Sequence, residues 1–265
     1  MAHIAITGAA GNVGSTVLDA FDRETHTVTP ITQTEEEDIE SIVLNVLNRD
    51  DFVEKLPDDV DVLVHLAANP SPYADWDEVK DVNVDGVYNA YHAAVENDLD
   101  RVVYSSSNHA LNAREVADPD EPETLRDDAP AVYPDQEPYP DSFYGVTKVA
   151  GEALGKHFAH KTDLEVVNLR IGWLLPREQL REKVTDPPAS DEYTEEGARF
   201  ARAMWLSPRD CRDAVAAAAL ADVRENPLTA HAISANDERC LSLTQTLRSI
   251  GYTPRDNAAD VVEQN

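Results

Sequence analysis

Cysteine is nearly absent: two in 265 residues, Cys211 and Cys240, are too few for a disulfide framework and too far apart for a metal-ligand spacing. Each is read as a small buried apolar residue, and no metal is expected. No run approaches the roughly 18 apolar residues that span a membrane. The opening segment MAHIAITGAAGNVG has neither the basic start nor the long apolar stretch of an export signal, so the expected location is cytoplasmic, with no membrane partner. Lysine is also scarce, with 6 Lys beside 16 Arg against 51 Asp and Glu, and the formal net charge is −29. A chain so charged repels phosphate backbones and anionic lipid, so nucleic acid is not an expected partner.

The acids are spread along the chain rather than gathered into the block that an acidic interaction protein would carry. At ordinary ionic strength they would repel one another. At molar salt the Debye length falls to roughly 3 Å and the repulsion is screened, which points to a salt-rich cytoplasm such as that of halophilic archaea. With 42% hydrophobic residues the chain has enough apolar surface for a substantial core.

Short β-rich runs alternate with longer helical patterns, the order that builds a parallel sheet covered by helices. Strands are expected at His3 to Thr7, Thr27 to Thr32, Ser41 to Val46, Asp61 to Ala67, Arg101 to Ser107 and Leu164 to Ile171. Helices are expected at Asn12 to Phe21, Trp76 to Asn97, Phe143 to His160 and Asp210 to Val223, the last apolar almost all round and so expected to be buried. Two stretches, Asn112 to Asp141 and Leu175 to Glu196, are rich in Pro, Asp and Glu and break the alternation. Both follow strands whose C-terminal ends should face a site, so they read as lids or as surface insertions.

Thr7-Gly8-Ala9-Ala10-Gly11-Asn12-Val13-Gly14 follows the first strand at once and opens a helix. Gly8 permits the tight turn, Gly11 lets backbone approach a pyrophosphate, and Gly14 lets helix and sheet pack closely, while the helix N-terminus offers N–H groups to the anion. A dinucleotide site is therefore expected at Gly8, Ala10, Gly11, Asn12, Val13 and Gly14. The fold expected is α/β, a doubly wound parallel sheet of the Rossmann type in a single domain. Residues 1–171 plus 208–235 would form the dinucleotide-binding core, and 172–207 and 236–265 a small substrate-side part.

The GxxGxxG spacing, with Tyr144-Gly145-Val146-Thr147-Lys148 downstream, resembles the extended short-chain dehydrogenase/reductase family. Tyr144 and Lys148, four apart, share a helix face, close enough for the ammonium to favour a phenolate. Ser107 at the end of the expected fifth strand, Asn83 in the long helix before it, and Leu66-Ala67-Ala68 after the fourth match further family positions. Ser106-Ser107-Asn108-His109, Val167-Asn168-Leu169-Arg170-Ile171-Gly172 and the run from Ala203 to Cys211 are similar to uronate dehydrogenases and their haloarchaeal relatives, which include an NAD-dependent glucose 6-phosphate dehydrogenase. The resemblance implies NAD as cofactor and oxidation of a sugar at C1 to a lactone, with glucose 6-phosphate favoured and a hexuronate next. It implies Ser107, Tyr144 and Lys148 as the catalytic set and cofactor contacts from Leu66, Ala67, Ala68, Asn83, Tyr144, Lys148 and Ile171. Asn108 and His109 would touch the sugar, and a homo-oligomer is expected.

Three departures bear on substrate and cofactor. The acidic residue that the family often places after the second strand is here Thr32, although Glu35, Glu36 and Glu37 follow and no Arg or Lys lies between Arg23 and Arg49, a setting that favours NAD over NADP. The arginine that grips the substrate anion in uronate dehydrogenases corresponds to Phe200, so the flanking Arg199 and Arg202 become the candidates for that contact. The spacing from Ser107 to Tyr144 is about a dozen residues longer than those enzymes would suggest. Two other readings stay open: a nucleotide-sugar epimerase or dehydratase, which would need a larger C-terminal cap, and an inactive dinucleotide sensor, which would be expected to have lost Tyr144 or Lys148.

Overall fold

The computed structural model describes residues 1–185 and 194–263. Within them lie β1 (His3–Thr7), β2 (Thr27–Thr32), β3 (Ile42–Val43), β4 (Val62–His65), β5 (Arg101–Ser107), β6 (Glu165–Ile171), β7 (Trp173–Leu174), β8 (Trp205–Leu206) and β9 (Leu228–Ala232). Seven of these form one parallel sheet in the order β3-β2-β1-β4-β5-β6-β9, and β7 and β8 pair separately. The helices are α1 (Asn12–Val17), α2 (Arg49–Lys55), α3 (Trp76–Lys80), α4 (Gly86–Glu96), α5 (Phe143–Lys161), α6 (Arg177–Thr185), α7 (Glu195–Met204), α8 (Pro208–Leu220), α9 (Thr244–Ile250) and α10 (Ala258–Val262).

Alternation along each strand divides the core between the two faces of the sheet. Ile4, Ile6, Val64, Val103, Val167 and Leu169 pack with Val17 of α1 and with Cys211, Ala214, Val215 and Ala218 of α8. Ala5, Ile31, Leu63, Val102 and Val166 pack on the other side with Phe52 of α2 and Val87 and Tyr91 of α4. Helices on both faces leave little room for polar side chains in the strands, which is why β4 is buried throughout. Both cysteines are free and buried, as expected.

Strands β1, β2 and β5 have the expected limits, and β6 starts one residue late. The strand expected at Asp61 to Ala67 ends at His65, because the Thr7 side-chain oxygen takes the backbone N–H groups of Leu66 and Ala67 and stops the ladder. The edge strand at Ser41 to Val46 shrinks to two residues. The helix expected from Trp76 to Asn97 is α3 and α4 joined through a π-helical turn at Asp81–Asp85, and α1 stops four residues early at Val17. Helix α8 begins at Pro208, capped by the Ser207 side chain, and is buried along one face (Asp210, Cys211, Ala214, Val215, Ala218, Ala219) rather than all round, with Arg209 and Leu220 exposed.

The two acidic stretches also differ from expectation. Residues 112–141 are irregular but pinned: Leu125 and Val132 are buried with Phe200, Met204 and Leu241, and their backbone N–H groups bond to Glu196 and Cys240. The stretch from Leu175 to Glu196 contains α6, with Leu180 and Val184 one turn apart and buried against α7 and α10; its residues 186–193 lie outside the described part.

Candidate active site

Strands β1 and β4 are neighbours in space while the chain leaves them in opposite directions across the sheet, so a crevice opens at their C-terminal ends. The glycine turn sits in it. Gly8 has φ +67°, a conformation that favours glycine, and a Cβ there would lie 2.9 Å from the Ala67 nitrogen. At Gly14 a Cβ would come within 2.1 Å of the Gly8 carbonyl oxygen, so α1 can lie this close to the turn only without a side chain. Thr7 rivets the crevice by bonding His65 Nδ1 at 2.9 Å as well as the Leu66 nitrogen. Burial pushes the His65 pKa down to about 3, with the Lys148 charge acting in the same direction, so this ring stays neutral. Gly14→Ala is expected to displace α1 and weaken NAD binding at least about tenfold, the overpacking scale of 1–3 kcal/mol; titration calorimetry with NAD checks it, and unchanged affinity would contradict the cradle.

Two hollows meet at this turn, one of about 420 Å³ and one of about 310 Å³, sharing Gly8, Gly11, Leu66 and Ala68. The first is lined also by Ile31, Thr32, Gln33, Leu44 and Ala67. The second holds Asn12, Val13, Gly14, Ser107, Asn108, His109, Tyr144, Lys148 and Ile171. Together they make a bent groove over the strand ends. Ala10 is exposed at the tip of the turn and lines neither hollow. Asn83 is fully buried away from both, its amide bonded to the Asn69 backbone and to Thr147, so its place is to hold the π-helical turn against α5 rather than to touch a cofactor. The Thr32 hydroxyl is taken by Ser41 and the Thr34 carbonyl, and Glu35, Glu36 and Glu37 are exposed and do not line the groove, so Gln33 and Asn45 are the polar side chains beside Thr32 there. A larger hollow of about 760 Å³ lies beside Asp61, Asp100 and Asp163 at the N-terminal ends of the strands and collects none of the motif residues.

Helix α5 starts at a Ser142 cap, whose hydroxyl accepts from the Gly145 nitrogen at 3.1 Å, and this sets Tyr144 and Lys148 one turn apart. Lys148 Nζ donates to the Ser105 carbonyl at 2.8 Å and lies 5.4 Å from the centre of the Tyr144 ring. Burial lowers the Lys148 pKa to about 7. Burial also pushes Tyr144 up to about 12, a hydrogen bond from Ser107 opposes the rise, and the Asp141 charge adds to it. A buried lysine and a buried tyrosine each pay for ionisation, and each charge favours the other.

The His109 ring packs against Tyr144 and Phe200, with centroids 5.8 Å away in both cases, and its Nδ1 lies 2.8 Å from Asp141 Oδ2, a carboxylate with 1% of its side chain exposed. Asn108 is buried beside Ser107, and its Nδ2 has no hydrogen-bond partner among the described residues. Arg199 and Arg202 do not join this cluster. Arg199 donates to the Leu125 carbonyl, and Arg202 is held by Glu238 and Glu195, so the expected anion contact is not made from α7, which presents Phe200 to the cleft instead. The reason is helical geometry: positions 199 and 202 flank the face that carries Phe200.

Four residues that the sequence did not single out also belong to the site or its support. Trp173 and Glu123 line the cleft, Asp141 holds His109, and Glu152 ties α5 to the sheet through Arg170 and Ser106. Glu152 alone carried a usable signal, because it continues the Tyr144–Lys148 stripe one turn further.

A family model described as NAD dependent epimerase/dehydratase matches residues 4–184. An L-arabinose 1-dehydrogenase (NAD(P)(+)) of Haloferax volcanii is 50% identical over 99% of this chain and 100% of its own length. An NAD-dependent glucose-6-phosphate dehydrogenase of the same organism is 34% identical over 97% of this chain and 94% of its own. The crystal structure of uronate dehydrogenase from Agrobacterium tumefaciens has a TM-score of 0.76 at 22% identity, covering 100% of this chain and 90% of that one, and a mutant of it complexed with NAD also reaches 0.76. At that identity the likeness establishes a shared fold.

Proposed function

The chain belongs to the NAD-dependent epimerase/dehydratase family, and from that premise we propose that it oxidises the C1 hydroxyl of an uncharged aldopyranose, L-arabinose or a sugar like it, to the lactone, with NAD as hydride acceptor. The observation that carries the choice of sugar is the lining of the cleft: Lys148 is its one Lys or Arg among the described residues, and it sits beneath Tyr144. A phosphate or carboxylate is ordinarily met by a bidentate arginine, and both candidate arginines are committed elsewhere. The 50% identical L-arabinose dehydrogenase supports the same reading over the glucose 6-phosphate that the sequence motifs suggest.

The residues fit a dinucleotide: the Gly8–Gly14 cradle, the buried Lys148 and the groove end at Ile31 and Gln33, whose lining among the described residues has no Lys or Arg to meet a 2′-phosphate. The bound nicotinamide supplies the hydride acceptor and a positive charge. Tyr144 takes the proton of the C1 hydroxyl, and the C1–H bond breaks as hydride leaves, so that C1 becomes a carbonyl. Ser107 hydrogen-bonds Tyr144 and orients the hydroxyl, and Lys148 stabilises the phenolate. Asn108 offers its unpartnered Nδ2 to a sugar oxygen, and Asp141 fixes the His109 ring in the cleft wall. The β7–β8 pair and α7 form the substrate side over the groove. The −29 charge and the two Haloferax relatives support a salt-rich working medium.

Assay in molar KCl of L-arabinose, glucose 6-phosphate and galacturonate, with NAD or NADP, tests the reading. NADH formation is expected with L-arabinose at a kcat/KM at least about tenfold above either anion, a difference of roughly 1.4 kcal/mol. Faster turnover of an anion overturns the substrate class, and isomerised sugar without net NADH would make the enzyme an epimerase.

A further inference from the structure

We propose that Glu123 is the residue that selects the sugar, accepting hydrogen bonds from ring hydroxyls remote from C1 and turning away sugars that carry an anion. The assignment rests on the C1-dehydrogenase reading above and adds to it the contact that decides which sugars enter.

Glu123 stands where two spaces join. It lines the cleft with Ser107, His109 and Tyr144, and it also lines an outer hollow of about 810 Å³ with Tyr73, Trp173 and Lys183. Because Glu123 shares the cleft with Ser107 and Tyr144, a pyranose with its C1 at those two residues can turn a far hydroxyl toward this junction. The carboxylate is partly withdrawn from water, unlike the many surface acids of this chain: burial raises its pKa, while the charges of His109 and Lys183 oppose the rise. Its Oε2 accepts from Tyr73 Oη at 3.4 Å, a long contact that leaves the group able to take stronger partners.

The segment that carries Glu123 is fixed on both sides. Thr124 bonds the Glu121 carbonyl and the Asp118 nitrogen, and Leu125 is 2% exposed with its N–H on the Glu196 carbonyl. Backbone held in this way limits where the Glu123 carboxylate can reach, and its two oxygens can accept from two neighbouring hydroxyls of a polyol. An anionic sugar in the same place would set like charges together, with Lys183 the cation beside them and no arginine lining either hollow among the described residues. The competing role is structural, with Glu123 serving only to hold Tyr73 and Lys183 near the cleft mouth.

The test is steady-state kinetics on wild type, Glu123→Gln, Glu123→Asp and Glu123→Lys with L-arabinose and galacturonate in molar KCl. Glu123→Gln is expected to raise KM for L-arabinose about tenfold, the scale of one hydrogen bond to a charged group, with kcat within about threefold and KM for NAD unchanged. Glu123→Asp should restore part of the loss, and Glu123→Lys should raise the galacturonate-to-arabinose ratio of kcat/KM at least about tenfold. If wild type oxidises L-arabinose but all three variants keep KM and that ratio within about twofold of wild type, this assignment is overturned while the dehydrogenase stands. A wild type that oxidises no uncharged sugar overturns the reading beneath it, and this one with it.

Discussion

Tyr144→Phe is expected to lower kcat by roughly 10²–10⁴-fold, the usual contribution of a positioned acid–base group, while the Kd for NAD stays within about threefold. The substitution removes one oxygen from a ring that is 8% exposed, so the packing against His109 is retained. What disappears is the group proposed to take the C1 hydroxyl proton. Stopped-flow or steady-state absorbance of NADH measures kcat, and calorimetry measures cofactor affinity. Activity above about a tenth of wild type would show that another group takes the proton.

The same residue sets the sign of the pH dependence. In the proposed mechanism the reactive form of Tyr144 is the deprotonated one, and burial pushes its pKa to about 12 while Lys148 is lowered to about 7. Raising the pH therefore populates the working form, and log kcat/KM should climb with a slope near one, about tenfold per pH unit, until the pair's apparent pKa is reached. A profile with no rising limb below that apparent pKa would remove Tyr144 from the role of base.

What the sequence made legible is what local chemistry dictates. The glycine turn, the apolar strands β1, β2 and β5, and the Tyr144–Lys148 pair depend on short spacings and lie where expected, while Ser107 joins that pair from the end of β5, far back in the sequence. What it hid depends on contacts distant in sequence. Helix α6 is polar along most of its length, and only Leu180 and Val184 mark its buried side. Asp141 is one acid in a segment full of them, and nothing nearby distinguishes a carboxylate that meets His109 from those that meet water. Arg199 and Arg202 were attractive for their charge, but the register of α7 gave the cleft to Phe200. Asn83 lies in the expected helix, yet the π-helical turn aims its amide at Asn69 and Thr147.

Glu152→Ala is expected to be among the most destabilising single changes in the molecule. Arg170, 2% exposed, donates from Nε and Nη2 to the two Glu152 oxygens at 2.7 and 2.8 Å and from Nη1 to the Pro134 carbonyl, and Ser106 donates to Glu152 at 2.6 Å. The pair thus joins α5, β6, β5 and the 112–141 segment directly behind Ser107 and Tyr144. Removing the carboxylate leaves a buried guanidinium with one carbonyl partner, a loss of about 3–5 kcal/mol. For a chain of this length that lowers Tm by roughly 6–20 °C. Molar KCl should not relieve it, because salt screens exposed pairs and reaches buried ones poorly. The double variant Glu152→Met with Arg170→Met should recover most of the loss, since replacing both charges by apolar groups of similar volume removes the unpaired charge. Denaturant unfolding of the three variants in molar KCl decides the matter: a loss below about 1 kcal/mol for Glu152→Ala would mean that the pair behaves like an exposed one and does not lock the helix that carries Tyr144.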